Sequence, residues 1–307
     1  MKYLQLIRYK NLAIIALMQT ILVFGFLKQQ NLEVALANWQ FGLLVLSTIC
    51  ITAGGYIINN IFDVETDNIN KPEDVLIGKS IAENFAYNLY VILTLIGVCI
   101  GYYLSNVVMK PSFLLFFIIP AALLYIYATS LKQIFLVGNV VVASLLSFSI
   151  IIIGIFMIIP ATDEINKKAM TTVLSVLFDF AIIAFIINFI REIVKDLEDI
   201  IGDKNQEMQT IPIVLGVTTT TKVIFTLSTI PIAVILLYVY NYLFQLQFAT
   251  IYILLTIVGP LLYFTIKIWS AETKQEFKHL SNTLKLVVFF GVISIAVIGL
   301  NMKYNVA

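Results

Sequence analysis

The chain has 307 residues, 60% of them hydrophobic and only 12% charged, with a mean hydropathy of +0.98. A soluble domain carries about 25% charged residues, so this composition cannot cover a surface in water and implies an integral membrane protein. Nineteen basic against 18 acidic residues exclude a nucleic-acid binder that works through a net positive field. The two cysteines, Cys50 and Cys99, lie inside apolar runs at neither disulfide-framework nor zinc spacing, and read as small core hydrophobes.

Runs near the roughly 20 apolar residues needed to span a bilayer occur nine times: Leu12–Leu27, Phe41–Asn60, Phe85–Leu104, Ser112–Ser130, Ile134–Ile159, Met170–Ile190, Val223–Leu243, Phe248–Trp269 and Leu286–Asn301. They are too long and continuous for the alternating strands of a barrel. The fold class expected is therefore all-α, a polytopic bundle of nine transmembrane helices forming one membrane domain over residues 1–307. Lys2, Arg8 and Lys10 precede the first run, and Ala35-Leu36-Ala37 mimics a cleavage site, but that tripeptide lies well beyond the run's end. The first run reads as an uncleaved helix. Pro120, Pro231 and Pro260 fall inside runs, where they kink a helix or shape a cavity.

Lysine and arginine in the connections set the orientation. One side takes Lys2, Arg8, Lys10, Lys71, Lys79, Lys132, Arg191, Lys195, Lys204, Lys222, Lys267, Lys274, Lys278 and Lys285; the other takes only Lys28, Lys110, Lys167, Lys168 and Lys303. The first side, with the N-terminus, is expected to be cytoplasmic and the C-terminus external, in a multi-pass protein of the cell membrane. Trp39 and Trp269 fall at run ends, as interface anchors do.

The acidic residues are far less evenly spread. Asp63, Glu65, Asp67, Glu73, Asp74 and Glu83 follow the second run; Glu192, Asp196, Glu198, Asp199, Asp203 and Glu207 follow the sixth. Positions 60, 63 and 67 repeat the steps of three and four found at 196, 199 and 203. Such steps put side chains on one helix face, so Asn60, Asp63 and Asp67 form one stripe of oxygen ligands and Asp196, Asp199 and Asp203 another. Either cluster alone could be a solvated helix end. Two with matched spacing on the same side suggest a metal site of hard oxygen ligands without His or Cys, which suits Mg²⁺ and substrate phosphates.

Five such aspartates, two Mg²⁺ ions and a diphosphate of about −3 leave a net charge near −4, so cations are needed close by. Arg8, Lys71, Lys132, Arg191 and Lys195 lie at matching depth. Arg191 sits where the sixth run meets the aspartate stripe, and either grips phosphate in a planar fork or pairs with Glu192 or Asp196.

These residues resemble the UbiA superfamily of intramembrane prenyltransferases. Its Asn-Asp-x-x-Asp-x-x-x-Asp motif is similar to Asn59-Asn60-Ile61-Phe62-Asp63-Val64-Glu65-Thr66-Asp67, and its second motif to Asp196-Leu197-Glu198-Asp199-Ile200-Ile201-Gly202-Asp203. Arg8 and Asn11 resemble its Arg-x-x-Asn. Tyr127, Leu131-Lys132 and Gly138-Asn139 resemble its fourth-to-fifth helix connection, and Gly202-Asp203-Lys204 with Thr210-Ile211-Pro212 resembles the segment after the second motif. Ile69-Asn70-Lys71-Pro72 and Arg191-Glu192-Ile193-Val194-Lys195-Asp196 look most like the branch that makes digeranylgeranylglyceryl phosphate. The haem-farnesylating branch fits Asn59, Asp63 and Asp67, but its Met-x-Arg-Thr element is missing. Three positions depart from the pattern: Asn60 stands for an aspartate, Glu207 for a common glycine and Asp74 for a common basic residue.

The resemblance implies Mg²⁺-dependent transfer of an isoprenyl group from a polyprenyl diphosphate to a lipophilic acceptor, with release of pyrophosphate and no obligate protein partner. The acceptor it favours is a geranylgeranylglyceryl phosphate-type ether lipid; an aromatic quinone precursor is the alternative. By the same resemblance Asp63, Asp67, Asp196, Asp199, Lys132 and Arg191 are catalytic, and Arg8, Asn11, Asn59, Lys71, Tyr127, Lys132, Asn139 and Arg191 bind substrate. Tyr56, Phe62, Tyr125 and Tyr127 are near enough in sequence to face an allylic cation. Asp179, inside the sixth run, lies outside the motifs and reads first as a packing residue; His279 reads as a solvated loop residue. A secondary transporter is the rival from another class, but transporter sites lie near the bilayer midplane, not at its surface.

Overall fold

A computed structural model of the chain describes residues 2–30 and 32–305. Among these residues nine helices are long and apolar enough to cross a membrane: α1 (Tyr9–Gln30), α2 (Asn38–Phe62), α3 (Glu83–Val107), α4 (Pro111–Thr129), α5 (Val137–Ala161), α6 (Lys167–Asn205), α7 (Val217–Leu243), α8 (Gln247–Ile268) and α9 (Lys274–Lys303). No strand occurs among them, only an isolated bridge between Ile77 and Ile81. The protein is a multi-pass, all-α membrane protein.

The helix ends differ from the apolar runs where charge continues a helix beyond the greasy stretch. At 39 residues, α6 is about 58 Å long against a hydrocarbon core of about 30 Å, so the second acidic motif is a direct extension of a spanning helix. The last helix likewise begins at Lys274, twelve positions ahead of its apolar run. His279 is therefore helical, not in a loop, and its Nε2 lies 3.0 Å from the Tyr263 hydroxyl. The first motif is broken: α2 ends at Phe62, and a short helix, Val64–Asn70, restarts after Asp63.

Two apolar cores share α6. Met170, Val173, Leu177 and Ala181 pack with residues of α1, α2, α5 and α9, whereas Ile187, Ile190, Ile193, Val194 and Leu197 pack with α7, α8 and α9. Apolar burial gives little preference between helices in lipid, so close approach and polar pins carry much of the specificity. Gln19, fully buried, donates to the Ser149 carbonyl at 2.9 Å and to Thr48 Oγ1 at 3.3 Å, tying α1, α2 and α5 together. Ser47 Oγ donates to the Gly97 carbonyl at 2.7 Å, an approach that a side chain at position 97 would block. Cys50 is buried as expected, but Cys99 points out of the bundle from α3.

Pro120 and Pro231 lie inside their helices; Pro260 follows a π-helical turn over Leu254–Val258, which absorbs the missing N–H donor. Pro120 borders a cavity.

Candidate active site

The acidic motifs meet because the short helix Val64–Asn70 docks across the end of α6. Asn70 donates through Nδ2 to the Asp199 carbonyl and accepts at Oδ1 from the Gly202 N–H, both at 2.9 Å. Lys274 at the start of α9 donates to the Asn70 carbonyl at 2.6 Å. Lys71 then reaches both Asp199 carboxylate oxygens, at 2.8 and 2.9 Å, and Glu198 at 3.4 Å. Burial alone would depress the Lys71 pKa, but the Asp199 and Glu198 carboxylates outweigh it and hold the ammonium above its ordinary value. Gln206 adds a 3.3 Å bond to Glu65.

The result is a polar vestibule of about 500 Å³, bordered by nine carboxylates and five cationic side chains. Its excess of acid calls for further cations. Lys132 pairs with Asp63, whose other oxygen accepts from Asn59, and Asn139 donates to Asp196 at 2.8 Å. Among the described residues no three acidic groups are already drawn to the spacing of a metal ligand shell: Asp63, Asp196 and Asp199 are each engaged by a neighbour. Asp67 and Asp203 border the same space and accept no side-chain hydrogen bond among the described residues. Burial, reinforced by Asp63, pushes the Asp67 carboxyl up to about 6, against the opposing pull of Lys71 and Arg8. The fit to a hard cation is good on this observation: all-oxygen donors, a net acidic wall and two unengaged carboxylates.

Asn60, expected among the metal ligands, borders the vestibule but its amide is engaged. Nδ2 donates to the Leu6 carbonyl at 2.9 Å and Oδ1 accepts from Arg8 at 3.4 Å. An aspartate could not make the first bond. Arg8 itself adopts left-handed backbone geometry, φ 50°, at the break before α1, a conformation that costs a non-glycine residue about 1–2 kcal/mol. That turn directs its guanidinium to Asn60 and over the Tyr56 ring, 5.2 Å from the centroid.

Two apolar chambers extend from here into the bundle. The smaller, about 140 Å³, is bordered by Arg8, Asn59, Tyr127, Glu192 and Lys195, all shared with the vestibule, and by Tyr56, Phe116, Phe117 and Phe148. The larger, about 180 Å³, runs along α6 from Arg191 past Asp179 and meets α7, α8 and α9. Arg191 thus borders the chambers and not the acidic vestibule; its Nη1 lies 3.5 Å from Glu192. Asp179, read from the sequence first as a packing residue, borders the larger chamber beside Phe180 and Tyr238. Of the four aromatics expected around a cation, Tyr56 and Tyr127 border the chambers, but Phe62 and Tyr125 pair with each other at 6.5 Å, both exposed on the outer face.

Sequence reading does not single out Glu192 as a site residue, yet it is buried between Arg191 and Lys195 and bonds Lys195 at 2.7 Å. Asn70 and Lys285 are missed likewise; Lys285 Nζ donates to Asn11 Oδ1 at 2.8 Å, and Asn11 to the Tyr56 hydroxyl at 3.4 Å.

The sequence profile of the UbiA prenyltransferase family matches residues 14–294. The digeranylgeranylglyceryl phosphate synthase of Saccharolobus solfataricus is 28% identical over 292 residues, covering 95% of this chain and 94% of the relative. A solved digeranylgeranylglyceryl phosphate synthase structure superposes with a TM-score of 0.66 at 22% identity, covering 97% of each chain. A UbiA homologue from Archaeoglobus fulgidus, solved with DMAPP and Mg²⁺, superposes at 0.58 and 16% identity, covering 96% of this chain and 99% of that one. With the profile spanning most of its length and the bundle shared throughout, this chain belongs to the UbiA prenyltransferase family.

Proposed function

We propose that this prenyltransferase moves an isoprenyl group from a polyprenyl diphosphate onto a geranylgeranylglyceryl phosphate-type ether lipid, at the cytoplasmic face of the cell membrane, with residues 1–307 acting as one domain. The observation that carries the reading is the docking of the two acidic motifs through Asn70, Lys71, Asp199 and Gly202, which gives one ligand access to both. Similarity to the digeranylgeranylglyceryl phosphate synthase of Saccharolobus solfataricus over nearly the whole chain supports the acceptor class. The lysine and arginine bias of one side supports the orientation.

Asp63, Asp67, Asp196, Asp199 and Asp203 would hold Mg²⁺, which when bound supplies positive charge against the diphosphate leaving group. The protein's own side chains do the rest. Lys71 and Lys132, paired with Asp199 and Asp63 at the vestibule wall, are positioned to stabilise phosphate oxygens as they gain charge. Arg8, at the boundary of vestibule and smaller chamber, adds a third donor. The smaller chamber receives the first part of the prenyl tail, where the Tyr56 and Tyr127 faces stabilise the developing allylic cation by about 0.5–2 kcal/mol each. Its apolar wall of Phe116, Phe117 and Phe148 keeps water from quenching that cation.

Purified protein incubated with geranylgeranyl diphosphate, Mg²⁺ and geranylgeranylglyceryl phosphate should release pyrophosphate and yield the doubly prenylated ether. Pyrophosphate release with an aromatic acceptor alone would reject the acceptor assignment, and none with any pair would reject the activity.

A further inference from the structure

The two apolar chambers relate differently to the acidic vestibule. The smaller shares five bordering residues with it; the larger shares none and meets the smaller chamber along Asn11, Ile15, Tyr56, Leu146, Ser149 and Arg191. A molecule whose diphosphate lies among the aspartates therefore leads its tail first into the smaller chamber. The larger one has a polar mouth of its own. Lys285, half-buried on α9, points there and is held by Asn11 at 2.8 Å, with Arg191 on the same wall.

The charge at this mouth is unbalanced. Arg191 Nε is buried without a hydrogen-bond partner, and the carboxylate nearest the guanidinium, Glu192 at 3.5 Å, bonds Lys195 more closely at 2.7 Å. Arg8 and Lys10 also lie within electrostatic reach of Lys285. The other charged residue bordering the chamber, Asp179, is about 18 Å from Arg191 along the helix axis, too far to compensate. Cations facing an apolar cavity are costly unless an anion joins them. A lipid with one phosphate and a long hydrocarbon chain satisfies both the mouth and the chamber.

We propose that Lys285, with Arg191 and Asn11, binds the phosphate of the acceptor lipid, whose tail occupies the larger chamber while the prenyl donor uses the smaller one. This rests on the acceptor class given above. It places the acceptor's headgroup at the seam between the chambers, beside Asn11 and Tyr56, where its hydroxyl can approach the first prenyl carbon. Gly291 supplies a means of blocking the tail: a side chain added there meets open space, and the position borders the larger chamber.

The test is direct binding to the full chain in nanodiscs, without turnover. Labelled geranylgeranylglyceryl phosphate should bind Lys285→Ala about tenfold or more weakly than wild type, as expected for loss of a charged donor, and Lys285→Arg nearly normally. Its phosphate-free alcohol should bind wild type and Lys285→Ala alike. Gly291→Phe should weaken both the phosphate and the alcohol. Mg²⁺-dependent binding of a non-hydrolysable geranylgeranyl diphosphate analogue should be unchanged in all three variants. Unchanged lipid-phosphate affinity in Lys285→Ala, a loss confined to the diphosphate analogue, or equal displacement by dioleoyl phosphatidate would each overturn the proposal. Because no product is measured, failure of the functional reading shows separately, as a wild-type protein that binds these ligands and releases no pyrophosphate.

Discussion

Asn70 lies flat against Gly202: a Cβ built at position 202 would come within 2.4 Å of the Asn70 amide nitrogen. The contact is possible only because α6 has no side chain at that point, and it closes two hydrogen bonds between the motifs. Gly202→Ala should push the short helix Val64–Asn70 off α6 and abolish Mg²⁺-dependent pyrophosphate release. Asn70→Ala should lose activity less completely, with the thermal midpoint falling as two bonds worth about 1 kcal/mol each are lost. A fully active Gly202→Ala enzyme would mean that this docking does not hold the site together.

Asp63 and Asp199 are each paired to a lysine, Lys132 and Lys71. Asp63→Asn and Asp199→Asn keep the side-chain volume and lose the charge, so each should abolish pyrophosphate release while the protein stays folded in detergent. Lys132→Ala should raise the KM for the prenyl diphosphate about tenfold or more, as expected for a lost charge-assisted phosphate contact. A KM equal to wild type would confine Lys132 to orienting Asp63.

Asp67 keeps its proton up to about pH 6 because burial and Asp63 disfavour its charge. Near pH 6 a cation bound by this carboxylate must displace that proton; well above pH 6 the group is already ionised. Per Mg²⁺ bound, titrations in two buffers of different ionisation enthalpy should therefore show more proton release at pH 6 for wild type than for Asp67→Asn, with that difference vanishing by pH 8. Release at pH 6 that is the same in both proteins would remove Asp67 from the ligand set.

Much of this site was legible in the sequence, for physical reasons. Steps of three and four select one helix face, so residues 196, 199 and 203 declare their stripe locally, and the apolar runs declare the spans. Asn70 and Lys285 leave no such trace. Asn70 meets Gly202 across 132 positions, and Lys285 meets Asn11 across 274, so neither contact can appear as a period. Phe62 and Tyr125 were misleading because closeness to a motif does not fix which way a ring points from its helix. Asn60 is legible as a departure, and its cause emerges only with the Leu6 carbonyl in place.

Glu207 is the other departure with a structural cause. The α6 helix ends in a reversal in which Met208 N–H bonds the Asp203 carbonyl at 3.0 Å and Glu207 N–H the Lys204 carbonyl at 3.2 Å. That pattern requires left-handed geometry at position 207, where φ is 53° and glycine is the residue without a Cβ penalty. Glutamate holds the turn at a cost of about 1–2 kcal/mol. Glu207→Gly should therefore raise the thermal midpoint, since relief of backbone strain exceeds the added unfolded-chain entropy of about 0.5–1 kcal/mol. Glu207 is exposed and does not border the vestibule, so kcat and both KM values should stay within experimental error of wild type. Glu207→Ala separates the two causes: it deletes the carboxylate but keeps a Cβ, and should leave the midpoint near its original value. A rise as large in the alanine variant would trace the effect to charge near Asp203 and not to the backbone.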